Sequence, residues 1–117
     1  MTKTKMKARS GFRVYEDALV LVRLMRVLWD RVGRHNRDLR RQIERAATSV
    51  PLNVAEGRHR RGAHGTERFD SAMASARECI AALQTSVAAG YLADEECEEA
   101  IDLADKIAAT LWRCTHR

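Results

Sequence analysis

Apolar residues recur three and four positions apart along nearly the whole chain, and no strand-like alternation competes with them. The first stripe is Val14, Ala18, Leu21, Val22, Met25, Leu28, Trp29 and Val32. That spacing puts side chains on one face of an α-helix. It predicts a helix from Val14 to Gly33, with Gly33 and Asn36 at its C-terminal end. Asp38 is the expected cap of a second helix, whose stripe is Leu39, Ile43, Ala46, Ala47, Val50 and Val54. The stretch RHRRGAHG, Arg58 to Gly65, reads as a basic loop because it is polar and carries two glycines. Thr66 is the expected cap of a third helix. On it Phe69, Met73, Ala76, Ile80, Leu83 and Val87 form a heptad seam that ends at Gly90. Asp94 is the expected cap of a fourth helix, with Glu95, Glu96 and Glu98 near its positive end. Its stripe is Cys97, Ile101, Ala104, Ile107, Leu111 and Cys114. Four such helices with short connections predict an all-α, up-down-up-down antiparallel four-helix bundle over residues 14–117. A basic, flexible tail over residues 1–13 precedes it.

A chain of 117 residues buries enough surface to fold as one domain without metal or disulfide. No apolar run approaches the roughly 18 residues of a membrane span. The basic start, MTKTKMKARS, lacks the apolar core of a secretory signal. The expectation is a cytoplasmic protein that does not engage a membrane. Cys79, Cys97 and Cys114 are odd in number, form no CxxC pair and fall on apolar stripes. They read as small buried hydrophobes rather than as disulfides or ligands. His35, His64 and His116 stand alone and read as exposed.

Pro51, the only proline, stands inside the second helical pattern. It removes the hydrogen bond to the carbonyl of Ala47, at a cost of about 3 kcal/mol in a helix interior. Ending the helix at Val50 and restarting at Asn53, in a capping-box pattern with Glu56, is one escape. No apolar stripe follows that start, so one helix kinked at Pro51 and ending near Gly57 is the better reading. On it Ser49, Asn53 and Glu56 share a side, and Ser75 and Glu78 of the third helix stand ready as partners. The five are either solvated or an internal polar network that fixes helix register. Glu56 and His59 form an E-x-x-H string of the kind used by di-iron bundles. Those bundles need a second copy and further carboxylates, and Gly57 is expected to break the helix between the two members. No nucleophile with a base, phosphate loop or metal set is visible. The chain reads as non-enzymatic, with no cofactor and no metal.

Charge is unevenly spread. Residues 1–61 hold sixteen Lys and Arg against six acids, whereas residues 66–117 hold five against ten. Arg37, Arg40, Arg41 and Arg45 at the start of the second helix, with Arg58, Arg60 and Arg61 after it, form the expected polyanion surface. Guanidinium forks suit phosphates, although Arg is also a good helix former and these positions can simply be solvated. No aromatic RNA-binding motif accompanies them, so phosphate and shape would dominate recognition. A basic half and an acidic half also suit head-to-tail contact between copies. The residues expected at that contact are Glu95, Glu98, Glu99, Asp102 and Asp105, with the apolar side chains Val20, Leu24 and Val27 beside the main core stripe of the first helix. Those three can equally widen the core face.

The stretch LRRQIERAATSVPLNVAEG, Leu39 to Gly57, together with GYL at Gly90 to Leu92 and Phe69, Ser75 and Glu78 between them, resembles a known family. It is similar to the four-helix-bundle proteins encoded by intervening sequences of bacterial 23S rRNA genes, which carry an equivalent of Q-I-x-R-A-A-x-S-I-P-x-N-I-A-E-G. The likeness spans about Val14 to Leu111. It departs at Ile80, Ala81 and Ala82, where the family often has Glu-Thr-Gln. The resemblance implies a homopentameric ring without established enzymatic activity. It also implies kinship with the accessory protein of diversity-generating retroelements, and so RNA or a nucleic-acid-processing protein such as a reverse transcriptase as partner. The alternative is a structural or adaptor ring that binds protein alone.

Overall fold

The stripes spaced three and four apart are met by four helices: α1 (Arg13–Gly33), α2 (Arg37–His59), α3 (Gly62–Ala88) and α4 (Asp94–Thr115). The computed structural model describes residues 12–60 and 62–116, and no strand occurs among them. Of the expected tail, residues 1–11 lie outside the described residues, as does Arg61. Phe12 is buried against the bundle and Arg13 opens α1.

Connections of two to five residues join helices that each run about 30 Å or more. Links that short favour antiparallel packing of successive helices. The contacts agree. Phe12, before α1, meets Arg58 near the end of α2. His35, between α1 and α2, stacks on Tyr91, between α3 and α4. Each helix packs on its two neighbours, α1 on α2 and α4, and α3 on α2 and α4. The result is an all-α four-helix bundle.

Its centre is filled by Leu21, Met25, Ile43, Leu83, Ile107 and Leu111, all fully buried. Alanines 18, 47, 72, 76 and 104 alternate with them and let the helices approach. The face that α3 buries is turned relative to the expected seam. Ala72, Cys79 and Ser86 are buried, whereas Phe69, Ile80 and Val87 are only partly so. Small residues on α3 sit deepest because α2 and α4 both crowd it. Cys114 is a further correction: it is exposed, while Cys79 and Cys97 are buried. The last turn of α4 runs past the core, so its stripe ends at Leu111.

Helix starts differ from expectation for local reasons. Asn36, not Asp38, caps α2, its side chain accepting from the Leu39 N–H at 2.9 Å. Asp38 sits in the first turn and pairs with Arg41. Ala93, not Asp94, precedes α4, and its N–H donates to Glu96 Oε2 at 2.8 Å. Thr66 lies inside α3, which begins at Gly62 with φ +62°. Six residues of the expected loop, Arg58, His59 and 62–65, are therefore helical.

Pro51 is buried within α2, and the helix continues through Gly57 to His59. Gly57 has a packing role instead of a stopping one. A Cβ there would lie 2.6 Å from the Phe69 ring and 3.1 Å from the Gly65 carbonyl oxygen. At Gly65 it would lie 2.8 Å from the Arg60 carbonyl oxygen. The pair, one on each helix, lets α2 and α3 touch backbone to backbone where they meet.

Candidate nucleic-acid interface

Where α1 gives way to α2, an open cleft of about 460 Å³ is lined by Asp30, Gly33, Arg34, Arg37, Arg40 and Arg41. Asn36 fixes the direction of α2, and spacings of three and four then aim Arg37, Arg40 and Arg41 to the same end. Gly33 matters here through space rather than backbone freedom. A Cβ on it would meet Arg40 Cδ at 2.7 Å, so its absence lets the Arg40 stem lie across the end of α1. Arg40 also faces Asp30 at 3.7 Å and Glu44 at 3.5 Å. Arg41 pairs with Asp38 at 2.9 Å. Arg34 and Arg37 form no ion pair among the described residues. Four guanidiniums line the cleft, and with Arg40 and Arg41 already facing carboxylates, Arg34 and Arg37 are the charges left for phosphate oxygens.

The expected basic surface is not one patch. Arg58 and Arg60 lie some 17 or more residues along α2 from Arg41, which is about 25 Å at 1.5 Å per residue. Arg58 places its guanidinium 3.4 Å from the centre of the Phe12 ring, which stacks on Tyr15. Arg60 faces Glu56 at 3.4 Å. Arg45 is exposed on the outer face of α2, one turn beyond Arg41. Arg34, which the charge pattern did not single out, joins the cleft only because the α1–α2 turn folds it back.

Of the five polar residues on α2 and α3, the structure brings three together. Ser49 Oγ lies 2.6 Å from Ser75 Oγ and 3.0 Å from the Ala46 carbonyl oxygen. Asn53 donates to the Ser49 carbonyl at 2.9 Å and accepts from Arg68 at 3.2 Å. Glu56 is exposed and reaches this group only through Arg68, at 3.8 Å. Glu78 is exposed and makes no hydrogen bond or ion pair with the others, because the turned face of α3 carries it outward. Arg68 is the member that the pattern missed. The intact helix also corrects the reason given for discounting Glu56 and His59 as ligands: Gly57 does not break it. Instead Glu56 is held by Arg60 and Arg68. Among the described residues no three His, Cys, Asp or Glu side chains converge as a metal set. No described helix is long and apolar enough to cross a membrane.

The seam between α1 and α4 is the loosest of the four. Two adjoining hollows run along it, lined by Val20, Leu24, Val27, Ala100 and Leu103 and bordered by Glu96, Glu99 and Asp102 and by Arg23, Arg31 and Lys106. Val20 and Val27 are exposed. Glu95, Glu98 and Asp105 do not line the hollows, since they project from other sides of α4. Burial pushes the Cys79 thiol up to about 12, with Glu78 adding to the effect. It also raises Cys97, helped by Glu96 and Asp94. Neither thiol is a ready nucleophile.

A family model described as 23S rRNA-intervening sequence protein matches residues 11–113. Among solved structures the fold is similar to a protein of unknown function from the S23 ribosomal protein family of Bacteroides thetaiotaomicron. The TM-score is 0.81 at 18% identity, over 89% of this chain and 99% of that one. No curated protein matches the sequence.

Proposed function

The chain belongs to the 23S rRNA-intervening sequence protein family, and on that premise we propose that it is a non-enzymatic, homo-oligomeric RNA-binding bundle. The observation that carries this reading is the cleft of Arg34, Arg37, Arg40 and Arg41, in which four guanidiniums outnumber the one lining carboxylate. Arg45 extends the positive surface up α2. Each phosphate neutralised releases counterions, so binding weakens with salt by a slope of about 0.9 per contact on duplex and about 0.7 on single strands.

Fluorescence anisotropy of labelled RNA across a salt series tests it. Replacing Arg34, Arg37 and Arg41 by Gln is expected to weaken binding and flatten the slope of log affinity against log salt. Replacing Arg58 and Arg60 is expected to do less, since each already faces a ring or a carboxylate, whereas Arg34 and Arg37 of the cleft form no ion pair among the described residues. Unchanged affinity and slope in the cleft variant would place RNA elsewhere or remove it from the function.

A second reading, an adaptor ring without nucleic acid, is favoured by the apolar α1–α4 hollows. Their proposed occupant is another copy of this chain. The basic first half of one copy then meets the acidic border of α4 on the next, and a ring of five is the closure proposed.

A further inference from the structure

The α1–α2 turn and the α3–α4 turn meet at the arginine-lined end of the bundle. Gly90, at φ +84°, ends α3 in a left-handed residue. Its N–H donates to the Val87 carbonyl, and the Tyr91 N–H to the Ser86 carbonyl, each at 2.9 Å. That is a Schellman arrangement, and it fixes where Tyr91 emerges. The Tyr91 ring lies parallel to the His35 imidazole, with centroids 5.0 Å apart and planes 7° apart. His35 is exposed, so Tyr91 covers only part of it. On either side in sequence stand Arg34 and Arg37, both lining the cleft. Arg34 adjoins His35 and Arg37 follows two residues on, so the exposed ring shares the α1–α2 turn with the cleft without lining it.

Building on the RNA-binding reading, we propose that His35, backed by Tyr91, is a stacking platform for an unpaired nucleobase, so that the site selects single-stranded over duplex RNA. Every base has a π-face, so such a platform holds a strand without reading its sequence, while the arginines track the backbone. The duplex has no splayed base to offer. The acids near Tyr91 fit the same geometry. Glu96 is tied to Arg31 and to the Ala93 N–H, while Asp94 and Glu95 are exposed. These two carboxylates, unpaired among the described residues, make the start of α4 less favourable to phosphate than the α1–α2 side. Tyr91 is a positioning residue, since His35 presents the open face.

The test uses a short oligoribonucleotide containing 2-aminopurine, free and annealed to its complement. The parent is expected to bind the single strand more tightly and to quench its fluorescence on stacking. His35→Ala is expected to weaken single-strand binding roughly five- to 150-fold. It should abolish quenching and leave duplex binding and the salt slope unchanged. His35→Tyr, which restores a ring, is expected to recover both affinity and quenching. A purely structural His35 would instead lower the melting temperature and shift single-strand and duplex binding together, and that result overturns the platform. Unchanged binding in His35→Ala, with loss in the Arg37→Gln and Arg41→Gln variant, overturns the platform and keeps the phosphate cleft. Failure of the parent to bind either RNA overturns both.

Discussion

At Gly57 one methyl group decides how closely α2 and α3 can meet. Alanine there gains helix propensity of about 1 kcal/mol, but its Cβ falls 2.6 Å from the Phe69 ring. Overpacking of that kind costs about 1–3 kcal/mol, so Gly57→Ala is expected to be net destabilising. Gly65→Ala is expected to lose more, because the obstacle at 2.8 Å is the Arg60 backbone carbonyl, which cannot swing aside. Gly33→Ala meets only the flexible Arg40 stem and is expected to keep or raise stability while disturbing the cleft. Thermal melts of the three variants check the ranking, and equal midpoints would contradict it. The thiols divide just as sharply. Cys114 is exposed whereas Cys79 and Cys97 are buried, so the native protein is expected to react fast with a thiol reagent at one cysteine and slowly at two. The folded state holds the Cys79 proton up to about pH 12, against an ordinary 9.0. Between those values the unfolded chain has given up a proton that the folded chain keeps. Stability is therefore expected to fall as pH rises through that window. Cys79→Ala should blunt the fall in alkaline denaturation.

Within α2, the buried Pro51 lies inside a continuous helix. Pro51→Ala restores an N–H for the Ala47 carbonyl but removes ring contacts with the core, and the two effects oppose. The variant is expected to fold with modest change in melting temperature. A loss as large as that of a deep core truncation would mean that the ring, not the backbone, sets the packing of α2 on α3. The Ser49–Ser75 contact at 2.6 Å ties those helices two residues before the proline. Ser49→Val is expected to cost about 1–2 kcal/mol by orphaning Ser75. Periodicity made the four helices and most of their faces legible, because burial and helical spacing are the same fact seen twice. Val14, Leu21, Met25, Ile43 and Ile107 are buried where their spacing puts them. Starts and stops were harder to read. Gly57, Gly62 and Gly65 look alike in sequence, yet one serves packing against Phe69, one a left-handed turn and one a backbone contact. Only the neighbouring helix distinguishes them. For the same reason the cleft was half visible. Arg37, Arg40 and Arg41 follow from helical spacing, but Arg34 and the His35–Tyr91 stack come from two turns distant in sequence.

Across the whole molecule, the proposed assembly calls for contact between unlike faces. Leu52 is the most exposed large apolar residue among those described, at 67%, and it stands on the outer face of α2 with Arg45 two turns before it. The α1–α4 hollows offer Leu24, Val27 and Leu103 between Glu99 and Asp102 on α4 and the cations Arg23, Arg31 and Lys106. An apolar knob fits an apolar groove whose rim carries both signs of charge, Arg23, Arg31 and Lys106 as well as the carboxylates. Contacts between two different faces are heterologous, and they propagate until a ring closes or a filament grows. Exposed ion pairs alone contribute little, so the apolar part must hold the assembly and the charges mainly orient it. Light scattering coupled to size exclusion is expected to give the parent a discrete mass several times the 13.3 kDa of one chain. Val27→Asp and Leu52→Asp are each expected to reduce it to one chain. Mixing the two variants then separates the geometries. In a heterologous contact one mutant still has a sound groove and the other a sound knob, so the mixture is expected to form a two-chain complex and stop there. A two-fold contact through the groove alone would leave Leu52→Asp assembled and the mixture unpaired. A parent that elutes at the mass of a single chain throughout the micromolar range would leave the arginine cleft to act one copy at a time.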